Sequence, residues 1–340
     1  MNPLTDAIEQ LGLAGAGTYL LLFVAASLLM LWRLEALLTH GLEGTALGTL
    51  VMPYCSGLGN LIFVGLMAGQ PEGGRHVLTN CLVNNVTNLT LVLALPTLGW
   101  GLLLAGGAGK AGTRRKTAAR PAAKAAAPEA QLTKLSLTLS LAAVLFFTGL
   151  TWVLGEDGAL NATDGLVLIA VFLFWQCFQV FDVLKHNVRQ RQSFSPLFYL
   201  DLLIVLLGAG GVYTSLDWLV TWLGAQQGQW VNAANLGWLT GWLMVLPNAL
   251  LAFFYAARQR ADIALASQIG DGHVCIPLCL GVSAVLQPIP APAFFDTGLY
   301  LLGAAALVHG ACLLLANGLP RWMGWPLLAG YGVFVAAGLF

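Results

Sequence analysis

Charge is what this sequence has least of. Lys, Arg, Asp and Glu together make up 9% of 340 residues, where a soluble domain carries about a quarter. Water is therefore not the main solvent of this chain. Its 15 basic and 15 acidic residues cancel to a formal net charge of zero, which excludes nucleic-acid binding driven by bulk positive charge. No nucleotide-binding glycine loop, nucleophile–base pair or catalytic metal-ligand spacing is present, so nothing supports an enzyme and no cofactor is expected. Cys55, Cys81, Cys177, Cys275, Cys279 and Cys312 all fall inside apolar stretches. None has a loop position where an oxidised pair would staple the fold. They read as small packing residues, with a soft-metal role for the four in the polar segments below as the weaker alternative. Met1–Gln10 carries Asp6 and Glu9 but no basic stretch, so a cleaved signal peptide is not expected.

What the sequence has in quantity is apolar length. Hydrophobic residues make up 58% of it. Ten apolar stretches, each near the ~20 residues needed to cross a bilayer, run over 11–32, 46–69, 77–104, 135–154, 165–183, 196–222, 236–257, 263–286, 297–316 and 322–340. With the N-terminus outside, the inside loops collect 14 of the 15 basic residues and leave Arg75 alone outside. This is the pattern of the positive-inside rule, and it predicts an inner-membrane protein with both termini extracytoplasmic. Between the third and fourth stretches the chain is small, basic and Pro-broken, from about Gly106 to Gln131. That composition predicts an unstructured cytoplasmic linker, with attraction to anionic lipid as a by-product. The expected organisation is helices one to three over 1–105, linker over 106–132, helices four and five over 133–190, and helices six to ten over 191–340.

Polar residues sit in unusual places within these spans. Spans two and three contain Pro53, Ser56, Gly57, Gly59 and Asn60, then Asn80, Asn84, Asn85, Thr87 and Asn88. Positions 80, 84 and 88 share one helix face. Spans seven and eight repeat the arrangement: Pro247 and Asn248 interrupt an apolar run, then Ser267, Asp271 and Cys275 follow at the same spacing of four. Two helix pairs with one punctuation, five helices apart, predict an internal duplication. An odd offset inverts one copy in the membrane, as in secondary transporters whose midplane sites lie on interrupted helices. Asn, Ser and Thr also join membrane helices by hydrogen bonds. That explains any one of these residues well, and the repeated pattern poorly.

The run Ala261-Asp262-Ile263-Ala264-Leu265-Ala266-Ser267-Gln268-Ile269-Gly270-Asp271 resembles the second alpha-repeat of the sodium/calcium exchangers, close to ADLALGNVIGS. Thr79-Asn80-Cys81-Leu82-Val83-Asn84-Asn85-Val86-Thr87-Asn88 is similar to the matching GNVVGSNIFN run. Leu246-Pro247-Asn248 stands where that family has Leu-Pro-Glu, with Leu58-Gly59-Asn60 at its counterpart. The resemblance implies an all-α polytopic membrane protein of ten transmembrane helices, arranged as two inverted five-helix repeats. It also implies cation antiport, with the first and sixth helices sliding over a fixed core.

Departures from the pattern bear on the ion. Each exchanger repeat contributes a glutamate, and here both positions are amides, Asn60 and Asn248. The serine positions are Asn84 and Asp271, and the next ligand positions are Asn88 and Cys275. Asp271 is left as the one acid at the expected centre. Asn60, Asn84, Asn88, Asn248 and Asp271 are the expected ion-binding residues, with Ser56, Thr87, Ser267 and Cys275 around them. Calcium takes about six to eight oxygens with substantial negative charge, and a divalent ion beside one carboxylate leaves an uncompensated charge in low dielectric. The expected partners are therefore sodium, proton or potassium rather than calcium, together with the lipid bilayer. The alternative is a transport-inactive scaffold kept as a membrane subunit or assembly partner of another membrane protein. His273 is two residues from Asp271, on nearly the opposite helix face, and reads as structural.

Overall fold

The computed structural model describes residues 12–39, 54, 57–104, 120–187 and 196–340. Its helices, in chain order, are α1 (Leu13–Thr39), α2 (Leu58–Met67), α3 (Gly73–Thr87), α4 (Leu93–Trp100), α5 (Arg120–Leu154) and α6 (Ala162–Asn187). They continue with α7 (Pro196–Ala225), α8 (Leu236–Ala257), α9 (Ala261–Val274), α10 (Leu280–Leu286), α11 (Phe295–Ala316) and α12 (Gly324–Leu339). A π-helical turn over Asn88–Val92 joins α3 to α4, and another over Cys275–Cys279 joins α9 to α10. Among the described residues, nine helical segments are long and apolar enough to cross a membrane, and Leu58–Met67 is a shorter apolar helix. The protein is an all-α polytopic membrane protein. Most of the second expected span, over 46–69, lies outside the described residues.

Burial separates the helices into two kinds. In the most apolar stretches of Gly73–Trp100 and Ala261–Leu286, 83% and 72% of residues are buried, against 22% in Leu197–Ala225. The two segments with polar ladders are thus the enclosed ones, and the helix without such a ladder presents most of its side chains outward, as lipid contact requires.

The duplication expected from the polar punctuation is written into the backbone. The two π turns, the short strands β1 (Leu102–Leu103) and β3 (Ile289–Pro290), and the left-handed residues Glu72 (φ 58) and Gln259 (φ 60) share one offset of 187 residues (275 − 88, 289 − 102, 259 − 72). Further along the chain the offset drops to 159 (318 − 159), between strands β2 (Ala159–Leu160) and β4 (Gly318–Leu319). The long basic segment between α4 and α5 has no counterpart in the second half, which accounts for the drop. At this second offset, close approaches repeat as well. A Cβ on Gly165 would lie 2.6 Å from the Gly281 carbonyl oxygen, and one on Gly324 would lie 2.8 Å from that of Ala94. Only glycine lets α6 meet α10, and α12 meet α4, at this separation.

The contacts divide the chain into two compact units. One comprises Met1–Val83, Gly158–Pro247 and Val274–Ala291. Within it α1 packs along α7 and α6 along α10. The half-buried Arg33 guanidinium donates to the buried Asp201 carboxylate at 3.1 Å, and Tyr19 stacks on Trp218 with ring centroids 4.3 Å apart. Strands β2 and β3 pair antiparallel, and Gln287 donates to the Met67 carbonyl at 3.2 Å. The second unit comprises Asn84–Asp157, Asn248–His273 and Pro292–Phe340. There α5 packs on α11 and α4 on α12, and β1 pairs with β4. Lys134 caps the end of α11 through the Leu314 carbonyl and Asn317 Oδ1, at 3.0 and 2.8 Å. Trp152 donates to Asp296 at 3.1 Å.

Two expectations are corrected. The linker is not unstructured throughout: α5 begins at Arg120, so its last part is helical, and residues 105–119 lie outside the described chain. Alanine dominates that stretch and is the strongest helix former, and Pro121 occupies a first-turn position that tolerates proline. Pro247 does not break its helix either, since α8 runs continuously through it. Proline is tolerated inside membrane helices because neighbouring groups re-satisfy the freed backbone.

Candidate functional site

Four polar side chains expected at the site meet in the second unit. Asn84 lies near the end of α3 and Asn88 opens the first π turn, while Asn248 comes from the middle of α8 and Asp271 from α9. All four are buried. Asn88 Nδ2 donates to Asn84 Oδ1 at 2.8 Å and to Asp271 Oδ2 at 3.0 Å. Asn248 Nδ2 donates to the same Asp271 oxygen at 3.0 Å. One carboxylate oxygen thus accepts from two amides carried on different helices.

This geometry has a local cause. Asn84 and Asn88 are one helical turn apart, which brings their amides into reach of each other. The π turn begins at Asn88 and widens the helix by one residue, a distortion frequent at functional sites. Thr90 reinforces it by donating its hydroxyl to the Val86 carbonyl. On the facing helix, Gly272 leaves room beside Asp271: a Cβ there would lie 3.1 Å from Asn85 Oδ1.

Electrostatically, the cluster holds one carboxyl group, able to carry a single negative charge, and a surplus of acceptors. An ionised carboxylate in a low-dielectric interior is costly unless hydrogen-bonded, and the two amide N–H groups supply those bonds. Buried amide and hydroxyl oxygens remain without a hydrogen-bond partner among the described residues: Asn88 Oδ1, Gln268 Oε1 and Thr87 Oγ1. Unsatisfied buried acceptors cost about 1–3 kcal/mol each and are the groups a desolvated cation would satisfy.

The remaining expected residues are distributed. Ser267 is buried only in part, donates to the Ala264 carbonyl at 3.2 Å, and is reached by Gln268. Asn60 belongs to the first unit, where both of its buried side-chain polar atoms lack a partner among the described residues. Cys275 also belongs to the first unit and opens the second π turn. Ser56 lies outside the described residues. Asn80, the first member of the amide ladder, donates to Thr240 Oγ1 at 3.1 Å and to Met244 Sδ at 3.5 Å within the first unit.

His273 Nε2 sits 2.9 Å from the Ser140 carbonyl and packs edge-on against Phe147, as its structural reading requires. None of the five described cysteines is in a disulfide, and among the described residues no group of three or more His, Cys, Asp and Glu could hold a metal ion. Gln268 was not anticipated. Its signal was available, since a buried polar residue three positions before Asp271 shares its helix face.

Comparison with known proteins bears on the whole chain. Residues 200–340 match the family model described as sodium/calcium exchanger protein. No curated protein sequence matches. Solved structures of the sodium-calcium exchanger NCX_Mj superpose with a TM-score of 0.65 at 18% identity, covering 99% of both chains. Another structure of that exchanger gives 0.67 at 17% identity, covering 100% of both. The H+/Ca2+ exchanger CAX gives 0.64 at 14% identity, over 98% of this chain and 82% of that one. The chain is thus a membrane protein with the sodium/calcium exchanger fold, whose residues 200–340 match that family's sequence.

Proposed function

We propose that the protein is a secondary active cation antiporter whose ion choice has moved from calcium to a monovalent cation or a proton, with Asp271 as the charged ligand. The observation that carries this is the composition of the buried cluster: one carboxylate among amides, with spare oxygens nearby. A single negative charge matches a single positive one. Calcium would need roughly twice the compensation. A cation bound at Asp271 Oδ2 takes the place of the N–H groups of Asn88 and Asn248 that now face that oxygen, and those amides turn to offer their oxygens. Asn84 Oδ1 is positioned to follow, because Asn88 Nδ2 holds it. Thr87 and Ser267, in the same unit as Asp271, complete the proposed lining. In this reading α1 and α7, tied at Arg33–Asp201 and at the Tyr19–Trp218 stack, move as one body during alternating access.

A second reading has an observation of its own. Asn84, Asn88, Asp271 and Asn248 are already joined in one continuous line of hydrogen bonds, which is what an inactive scaffold would keep for stability. Flux in proteoliposomes decides between the two. Gradients of sodium, potassium, protons and calcium are applied in turn to the purified chain. Exchange of a monovalent cation or proton supports the antiporter, while no flux under any gradient leaves the scaffold. Calcium exchange at ordinary affinity overturns the proposed ion choice.

A further inference from the structure

The most informative group outside the expected set is the Gln268 side chain. It is 1% exposed, on α9, one helical turn before Asp271. Its Nε2 donates to the Asn248 backbone carbonyl at 3.1 Å and to Ser267 Oγ at 2.9 Å. A primary amide has two N–H groups, and both are committed. The plane of the amide is therefore set, and its oxygen cannot exchange places with the nitrogen without losing the bond to the Asn248 carbonyl. That oxygen, Oε1, has no partner among the described residues.

A purely structural glutamine would not be built this way. To hold the Asn248 carbonyl, any donor suffices, and a donor without a second, unsatisfied polar atom costs less. Leaving a buried acceptor fixed and unpartnered makes sense when a positive group arrives to meet it. The same side chain grips the residue whose amide faces Asp271, so Gln268 and Asn248 form one assembly on the carboxylate.

We propose that Gln268 is a cation ligand through Oε1, adding a neutral oxygen to the site at Asp271 and favouring a monovalent cation there. This rests on the antiporter reading. A neutral oxygen raises the coordination number without adding charge, which suits sodium or potassium and does nothing for the deficit that calcium would meet.

The test uses the purified full-length chain, with thermal stabilisation by sodium chloride or potassium chloride as the readout and choline chloride as the ionic-strength control. The unmodified protein is expected to be stabilised by one of the two cations, and Asp271→Asn to lose that response. Gln268→Leu is expected to raise the half-saturating cation concentration about 10-fold, equivalent to ~1.4 kcal/mol. A lower melting temperature with an unchanged half-saturating concentration would mean that Gln268 only braces Asn248, and would overturn the proposal while leaving the antiporter reading in place. Should Gln268→Leu fail to fold, Gln268→Glu keeps an oxygen at the same reach and adds charge. It is expected to confer a calcium response that the unmodified protein lacks, and an unchanged ion response in that variant also overturns the proposal. No sodium or potassium response in the unmodified protein overturns the Gln268 proposal and leaves only the proton-coupled form of the antiporter reading.

Discussion

The segment α3–α4 and the segment α9–α10 have the same backbone and different chemistry. Each follows a residue in left-handed conformation, each is interrupted by a π turn at the same register, and each ends in a two-residue strand. Along the first, the positions spaced by four are Asn80, Asn84 and Asn88, all amides. Along the second they are Ser267, Asp271 and Cys275, with the only carboxylate. Backbone shape in these segments is set by packing against partner helices, such as the glycine approaches at Gly165 and Gly324. Charge is not set by that packing. The two copies have therefore kept one scaffold while the site became lopsided, with its single acid on the second copy.

The largest expected effect comes from removing that asymmetry altogether. Asp271→Asn should lower cation flux by about 100-fold or more, because a unit charge at contact distance contributes on the order of 4 kcal/mol at an effective dielectric near 20. The melting temperature should change little, since an asparagine oxygen still accepts from Asn88 and Asn248. Flux and melting curves on the same preparation check this, and retained flux would remove Asp271 from the site. Moving the charge is the sharper experiment. Asp271→Asn combined with Asn84→Asp keeps one carboxylate within reach of Asn88 Nδ2 but places it on the first copy. Partial recovery of flux, within roughly 10-fold of the unmodified protein, is expected, corresponding to a residual loss of about 1.4 kcal/mol.

Restoring acid to both copies should change the ion. The unmodified protein should bind calcium weakly near neutral pH, and Asn60→Glu with Asn248→Glu should raise calcium affinity, as measured by calorimetry. Tight, micromolar calcium binding by the unmodified chain would break the proposed selectivity. Smaller effects should fall equally on the two copies where only the scaffold is touched. Gly165→Ala and Gly324→Ala each bring a Cβ against a carbonyl oxygen and should each cost about 1–3 kcal/mol, read from chemical denaturation in detergent. Markedly unequal losses would show that the two packings are not equivalent. Orientation has no energetic signature but completes the comparison. Single cysteines at Glu156 and Gln229 should label from outside in a cysteine-free background, and one at Lys116 should not.

The legible part of this architecture was its longest-range part. Composition located the membrane spans, and the four-residue spacing of Asn84, Asn88, Ser267 and Asp271 located the duplicated helix pairs before any contact was known. Residue pairing was less legible. Asn80 belongs to the same sequence ladder as Asn84, yet its amide goes to Thr240 and Met244 on α8, because periodicity gives a face and not the neighbour opposite it. Gln268 shares a helix face with Asp271, which the sequence shows, but which of its atoms are used only coordinates assign. The π turns were invisible, since one extra residue per turn leaves no mark in an apolar pattern. The helical start of α5 is hard to see in the sequence because its proline and charges disguise the helix-forming alanines between them.

The four short strands among the described residues carry one more consequence. Strand β1, in the first half of the sequence, pairs with β4 near the end of the chain, and β2, also in the first half, pairs with β3 in the second. Each half thus lends the other a backbone edge, as two interlaced hands do. Neither half can close its own hydrogen bonds alone, so Leu102 and Leu103 must wait through more than two hundred residues of synthesis for Gly318 and Leu319. Maturation should be late and all-or-none, with chains released before residue 318 recognised as unfinished by the membrane's quality-control proteases.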